Sequence, residues 1–312
     1  MNDEIYKELQ AELGETVEFN YLLSNLSKIG VGGVCTYYYL AIDIKSVIKA
    51  VSLAIQYEIP YLVIGQGCDV VPSDRGFFGL VIKNISNNII FGPDGSEAIV
   101  DSGVTLPSFI NYSAGRDLGG LEFLNGYDGS VGGAIYGNYK YKDYSISDFV
   151  KSVTVLIQDG KDIKYENISC NRMEFCLNSS FIKDISNTHK PIILTARVQL
   201  IKRRKDEILR LMKESLVAKK FSRVETQQSI INFFLDTDLE SEEKIDQLLE
   251  GVNNKKQKIG GAQFSREIPN CIINRKNARA EDIRALADLA RDNILEKCGH
   301  SITERIEYIG QW

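Results

Sequence analysis

The chain has 312 residues, 44% hydrophobic and 25% charged, with a formal net charge of -5. That length suits two or three domains with a substantial core. The mild acidity excludes the basic stripe that electrostatic nucleic-acid binding needs.

In chain order, residues 3–13 have the spacing of a short amphipathic helix, and the charged start lacks the apolar stretch of a secretory signal. No segment approaches ~18 unbroken apolar residues, so a cytoplasmic chain without a membrane span is expected. Ala41 to Tyr57 carries helical spacing with Asp43 as a candidate cap. Residues 60–64 then read as an apolar strand running into Gly65-Gln66-Gly67, and residues 80–82 and 98–100 as further strands. The first 90 residues thus resemble a small βαβ-containing unit. Residues 106–117 suit a helix. A glycine-dense stretch follows, with Gly126, Gly129, Gly132 and Gly133. Residues 149–157 and 192–201 read as strands, with a turn at Asp159-Gly160. The cationic run Lys202 to Lys205 reads as the solvated start of a helix over 206–220. Further helices are expected near 240–251 and 280–296, and a last strand at 306–309.

Six cysteines, Cys35, Cys68, Cys170, Cys176, Cys271 and Cys298, form no CxxC pair, so free or buried thiols are expected. Two isolated histidines, His189 and His300, argue against a zinc site and against a histidine-based triad. Gly65-Gln66-Gly67 after a strand suits close backbone approach to a diphosphate, or simply a tight turn. It lacks the GxGxxG of a Rossmann fingerprint. The cluster Gly129-Ser130-Val131-Gly132-Gly133 repeats the same composition, which favours a nucleotide cofactor.

The run from Leu121 to Asn138 is similar to GLEFLAGIPGTVGGA…N of the MurB family, the UDP-N-acetylenolpyruvoylglucosamine reductases. Ile64 to Phe77 resembles that family's LGGGSNLLVSDxGF, and Val31-Gly32-Gly33 its early (V/I)GG. Residues 259–274 resemble GGAxVSxxHxxFIIN, and 306–310 the terminal VRxIG. The blocks fall in the family's order along nearly the whole chain. The resemblance implies an α+β chain with a two-part FAD-binding region followed by a smaller α+β substrate-type domain. The segments would be 1–90 and 91–204 for FAD, 205–300 for substrate, and 301–312 as a strand returning to the FAD region. It also implies NADPH as reductant, an enolpyruvyl UDP-sugar as substrate, and cofactor contacts from Gly65, Gln66, Gly67, Cys68, Asp69, Gly129, Ser130, Gly132, Gly133 and Asn138.

The family's catalytic residues are an Arg and a Glu that stabilise an enolate and a Ser that protonates the resulting carbanion. Here those positions carry Leu177, Asn232 and Arg305. Leu177 has neither charge nor donor, an amide is a poor acid, and Arg305 reverses a charge. Glu304 points to the other face of its strand, Glu307 lies two residues on, and Ser229 lies three residues before Asn232. Ile268 replaces the motif histidine. Where the family has Ser-Asn and Ile-Pro, this chain has Cys68-Asp69 and Tyr127-Asp128, and either aspartate would repel a diphosphate that it faced. The expectation is a FAD-binding, catalytically impaired paralogue with a regulatory or partner role, meeting a UDP-sugar or a cell-wall enzyme. Two alternatives stand beside it: an active NADPH-dependent flavin reductase with relocated residues, and a non-flavin interaction protein.

Overall fold

The computed structural model describes residues 2–185, 190–219, 228–236, 242–252 and 257–312. His189 lies outside them. The chain forms two compact units: one of Met1–Phe19, Tyr37–Gln66 and Gly79–Lys219, the other of Asn20–Thr36, Gly67–Phe78 and Lys220–Trp312. The units are discontinuous in sequence, whereas the motifs suggest consecutive segments. The architecture is α+β, with helices and strands mixed in both units.

A sheet whose larger part belongs to the first unit runs in the order Val17–Leu22, Val34–Ala41, Phe77–Asn84, Tyr61–Ile64. The last two strands are parallel, with Leu62 opposite Val81. The helix Ile44–Gln56 precedes Tyr61–Ile64 and starts where Asp43 accepts the Ser46 N–H at 2.7 Å. Hydrogen bonds from Ser46 hold the Asp43 carboxyl below its ordinary pKa. A second, antiparallel sheet has the order Asp162–Ser169, Val150–Asp159, Ile192–Gln199, Glu97–Asp101, Ile89–Phe91. Leu156 and Leu194 of this sheet share a core with Leu80, Ile82, Val47 and Val51. A truncation there, such as Leu80→Ala, costs about 2–5 kcal/mol because the cavity collapses only in part.

The second unit is built on an antiparallel sheet ordered Ser229–Ile231, Cys271–Asn274, Ala262–Phe264, Lys258–Ile259. The helix Ala280–Cys298 buries Ile283, Leu286, Ala287, Ala290 and Ile294 in a core with Phe233, Phe234, Phe264 and Ile272. Its first turn is satisfied from far away in sequence: the Asp74 carboxylate accepts the N–H groups of Ala280 at 3.0 Å and Glu281 at 3.1 Å. The strand Glu307–Ile309 lies parallel to Val70–Pro72, with Glu307 opposite Val70. That pairing fixes what stands beside residue 69.

Among the described residues, no helix is long and apolar enough to cross a membrane, and all six cysteines are free thiols. Burial pushes the Cys271 thiol up to about 12, which makes it a packing residue rather than a nucleophile.

Candidate functional site

The glycine stretch of the first unit is anchored backbone to backbone. Val131 N–H donates to Val104 O and Gly132 N–H to Ser102 O, each at 2.8 Å, and Gly129 O accepts from Leu106 N–H at 2.9 Å. Ser130 is 97% buried by its 3% exposure and caps the short helix Val131–Tyr136, accepting the Gly133 N–H at 3.2 Å. The first N–H groups of this helix are therefore committed to the fold. Gly65 brings the other loop to the same place. A Cβ on Gly65 would collide with the Ser130 hydroxyl, so the two loops approach here more closely than a side chain at residue 65 allows without a shift of Ser130. Gln66 is half-buried beside it.

Asn138 has a structural task within this unit. It adopts φ 41, and its side-chain amide donates to Cys176 O at 2.8 Å while its carbonyl accepts the Ser147 N–H at 3.4 Å. The Cys176 to Ser179 turn that it holds carries Leu177, which is 41% exposed. Ser180 ties the same segment to Tyr136 O at 2.8 Å. Tyr127 is buried, with its ring 5.4 Å from that of Tyr139, and Asp128 is exposed to solvent. Water screens a charge at Asp128 far better than it would a buried one.

In the second unit, Gly67 has φ 71, and a Cβ there would collide with Leu26 O, so only glycine fits the turn. Its carbonyl accepts the Lys28 N–H at 2.9 Å. Cys68 and Asp69 follow, both half-buried. Arg305, 6% exposed, donates through Nη2 to both Asp69 oxygens, at 3.1 and 3.3 Å. The backbone reinforces the pair: Glu307 N–H donates to Asp69 O and Arg305 N–H to Phe233 O, each at 2.8 Å. Glu304 is engaged elsewhere, with Arg291 at 3.3 Å. Asn232 sits between two short strands at φ 55 and is 9% exposed. Asn tolerates this left-handed conformation better than most residues. Ile268 is 9% exposed, and its N–H donates to Ser265 Oγ at 3.1 Å.

Asp69 and Arg305 stand 236 residues apart in the chain, so strand-level reading does not pair them. Two further features escape the motifs. Glu122, 5% exposed, takes Arg203 at 3.0 Å and the Gly120 N–H at 2.7 Å. Lys219 is buried at the end of the helix Lys205–Lys219, and its signal is its spacing after Ile208, Met212 and Ser215 on one face.

Two glycine-bearing loops that approach closely, with the buried Ser130 at their meeting point, offer the kind of backbone cradle a nucleotide cofactor needs. Comparisons with known proteins agree. The family model for a FAD binding domain matches residues 36–165, and that for the C-terminal domain of UDP-N-acetylenolpyruvoylglucosamine reductase matches residues 225–309. The UDP-N-acetylenolpyruvoylglucosamine reductase of Anoxybacillus flavithermus is 29% identical over 97% of this chain and 97% of its own. That of Clostridium novyi is 27% identical over 99% and 97%. The crystal structure of the Thermus caldophilus enzyme superposes with a TM-score of 0.75 at 26% identity, covering 94% of this chain and 98% of the other. The chain belongs to the UDP-N-acetylenolpyruvoylglucosamine reductase (MurB) family.

FAD is the cofactor of this family assignment, and the residues fit it. The cradle at Gly65 and Ser130 is one that a side chain would fill, and the two aspartates that argue against a diphosphate are one ion-paired and one solvent-exposed. Within the first unit, Gly65, Gln66, Gly129 and Ser130 are the residues that would face a diphosphate. The bound flavin would supply two-electron transfer between a nicotinamide and the substrate.

Proposed function

We propose that this chain is a FAD-binding MurB-family protein in which reduction of UDP-N-acetylglucosamine enolpyruvate is impaired, acting in the cytoplasm as a regulator or partner in peptidoglycan synthesis. One observation carries the reading: Arg305, the cation that could replace the charge missing at Leu177, is bound to Asp69. Leu177 supplies no charge or donor, and Asn232 supplies an amide where the reaction needs an acid. Loss of one group that stabilises a developing oxyanion costs about 10²–10³ in rate, and two such positions, together with that of the proton donor, are changed here.

A second reading, an active reductase with relocated residues, is favoured by one contact. Lys190 Nζ donates to the Tyr136 hydroxyl at 3.0 Å, close to the segment that carries Leu177. This is a cation and a phenol together. The decisive experiment reconstitutes the protein with FAD and measures NADPH oxidation with and without UDP-N-acetylglucosamine enolpyruvate. Substrate-dependent turnover on the order of 1 s⁻¹ or above, the ordinary range for enzymes, would refute impairment. Loss of that turnover in Tyr136→Phe and Lys190→Met would then establish the second reading.

A further inference from the structure

The segment that delivers the glycine stretch of the first unit is sewn to one helix by one face of that helix. Along Lys205–Lys219 the buried positions are Ile208, Met212, Ser215 and Lys219. Met212 O accepts from the Asn125 amide at 2.9 Å, and Ser215 Oγ donates to Phe123 O at 3.3 Å. Lys219 completes the row. It is 7% exposed, and its ammonium donates to Phe123 O and, at 2.7 Å, to Asn125 O. The same ammonium lies 4.2 Å from the ring centroid of Tyr127 and 4.8 Å from that of Tyr141. Tyr127 packs on Tyr139, whose ring is what a Cβ added at Gly129 would meet first, at 3.5 Å. A chain of contacts thus runs from Lys219 through Tyr127 and Tyr139 to Gly129.

A lysine is rarely buried unless it is well partnered, because its desolvation is costly. Two carbonyl oxygens and two aromatic faces offset that cost, and a cation over an aromatic face is worth most when water is excluded. The charge also sits at the C-terminal end of its helix, where the macrodipole favours a cation. Met212 and Ser215 would hold the helix against this segment without Lys219. What the ammonium adds is a fixed geometry for residues 123–127, immediately before Gly129 and Ser130.

We propose that Lys219 is a positioning residue for FAD: it holds Phe123 to Tyr127 so that Gly129 and Ser130 meet the cofactor already in place. The inference rests on FAD as the cofactor. Lys219→Met keeps the apolar stem and removes the charge and donors, taking the ammonium bond from Asn125 O and leaving Phe123 O with Ser215 Oγ. The test titrates FAD into the apo form of the full chain and follows quenching of flavin fluorescence. The expected result for Lys219→Met is a Kd raised about tenfold or more, since preorganisation lost in the loop must be regained on binding. The visible absorbance and circular dichroism bands of the bound flavin shift, and the amides of residues 123–130 exchange faster. Lys219→Arg, which restores a cation and donors, recovers most of the affinity.

If Lys219→Met melted at a lower temperature but bound FAD with the parental Kd and spectrum, the role would be structural and the proposal wrong. Should that variant fail to fold, Tyr127→Leu and Tyr141→Leu carry the test: each removes one aromatic face and leaves the carbonyl bonds. Parental affinity in both would overturn the proposal. A parental protein that takes up no FAD would overturn the cofactor assignment itself, an outcome separate from an unchanged Kd in the variants.

Discussion

Ser130, directly after Gly129, and Asp69, two residues after Gly67, both lie in loops that the family resemblance assigns to the cofactor, yet their surroundings differ. Around Ser130 the family's residues persist, and the bonds are local: a cap to Gly133 and backbone pairs to residues 102–106. Around Asp69 the residues depart from the family pattern: where the resemblance has a neutral side chain at 69 and an acid at 305, this chain has an aspartate and an arginine that bind each other across 236 residues. One loop is held mainly by its own backbone, the other by a distant side chain.

Restoring the changed region is the strongest way to break this comparison. Leu177→Arg, Asn232→Ser and Arg305→Glu would return the family's catalytic residues, but Glu at 305 would then face Asp69 at ion-pair distance. Asp69→Asn must accompany them. The quadruple variant is expected to raise substrate-dependent NADPH oxidation at least ~10²-fold over the parent. The triple variant retaining Asp69 should gain less and melt lower. Equal rates in parent and quadruple variant would show that the pocket has diverged beyond these four positions.

The next effect in size is on stability. Removing one partner of a buried ion pair costs about 3–5 kcal/mol, and the 21% exposure of the Asp69 side chain lowers the expectation for Arg305→Ala to about 2–4 kcal/mol. Asp69→Asn in that background should recover part of the loss. A double-mutant cycle by denaturant unfolding is expected to give a coupling of about 1–3 kcal/mol. A coupling near zero would mean that the two charges act independently and that the contact holds neither residue.

Much of the fold was legible in the sequence. Asp43 caps its helix as its position suggests, and the strands over 61–64, 97–101 and 150–159 and the helix Ala280–Cys298 lie close to where periodicity puts them. The run Val34–Ala41 is a strand that periodicity alone did not mark, because its three consecutive tyrosines break the alternation. All three are buried, so neither side of the strand is left polar. The glycine loops were legible because a missing Cβ has a local cause. The partners of Asp69, Asp74 and Lys219 were not, because each is fixed by strands or helices that meet only after the chain has folded. The sequence made Asp69 an obstacle to a diphosphate, and its bond to Arg305 removes that obstacle.

The conserved-looking region is tested at Gly65. Gly65→Val would drive side-chain carbon into the Ser130 hydroxyl and release the cap on Gly133. Overpacking of this kind costs about 1–3 kcal/mol, or roughly 5- to 150-fold in an equilibrium. Most of that should appear in the Kd for FAD, read by fluorescence quenching, and less in the melting temperature of the apo form. A Gly65→Val protein that binds FAD as tightly as the parent would show that the two loops need not meet.

The smallest effect concerns the support of the same cradle. Asp101 is 8% exposed and accepts the Asn88 N–H at 3.2 Å. Burial, then the Asn88 bond acting in the opposite sense, then the nearby charge of Asp43 leave its carboxyl above the ordinary range. The folded state therefore holds this proton more tightly than the unfolded chain. By linkage, the Asp101 contribution to stability is most favourable below the unfolded carboxylate pKa. It declines as pH rises through the folded value and stays reduced at neutral pH. Asp101→Asn keeps an acceptor for Asn88 and removes the charge, so it should melt about 2 °C higher than the parent at pH 7, with the gain vanishing in acid. A gain of the same size at both pH values would assign it to packing rather than to the buried charge. A loss at neutral pH would mean that the ionised carboxylate is an essential part of the anchor beneath Ser102 and Gly132.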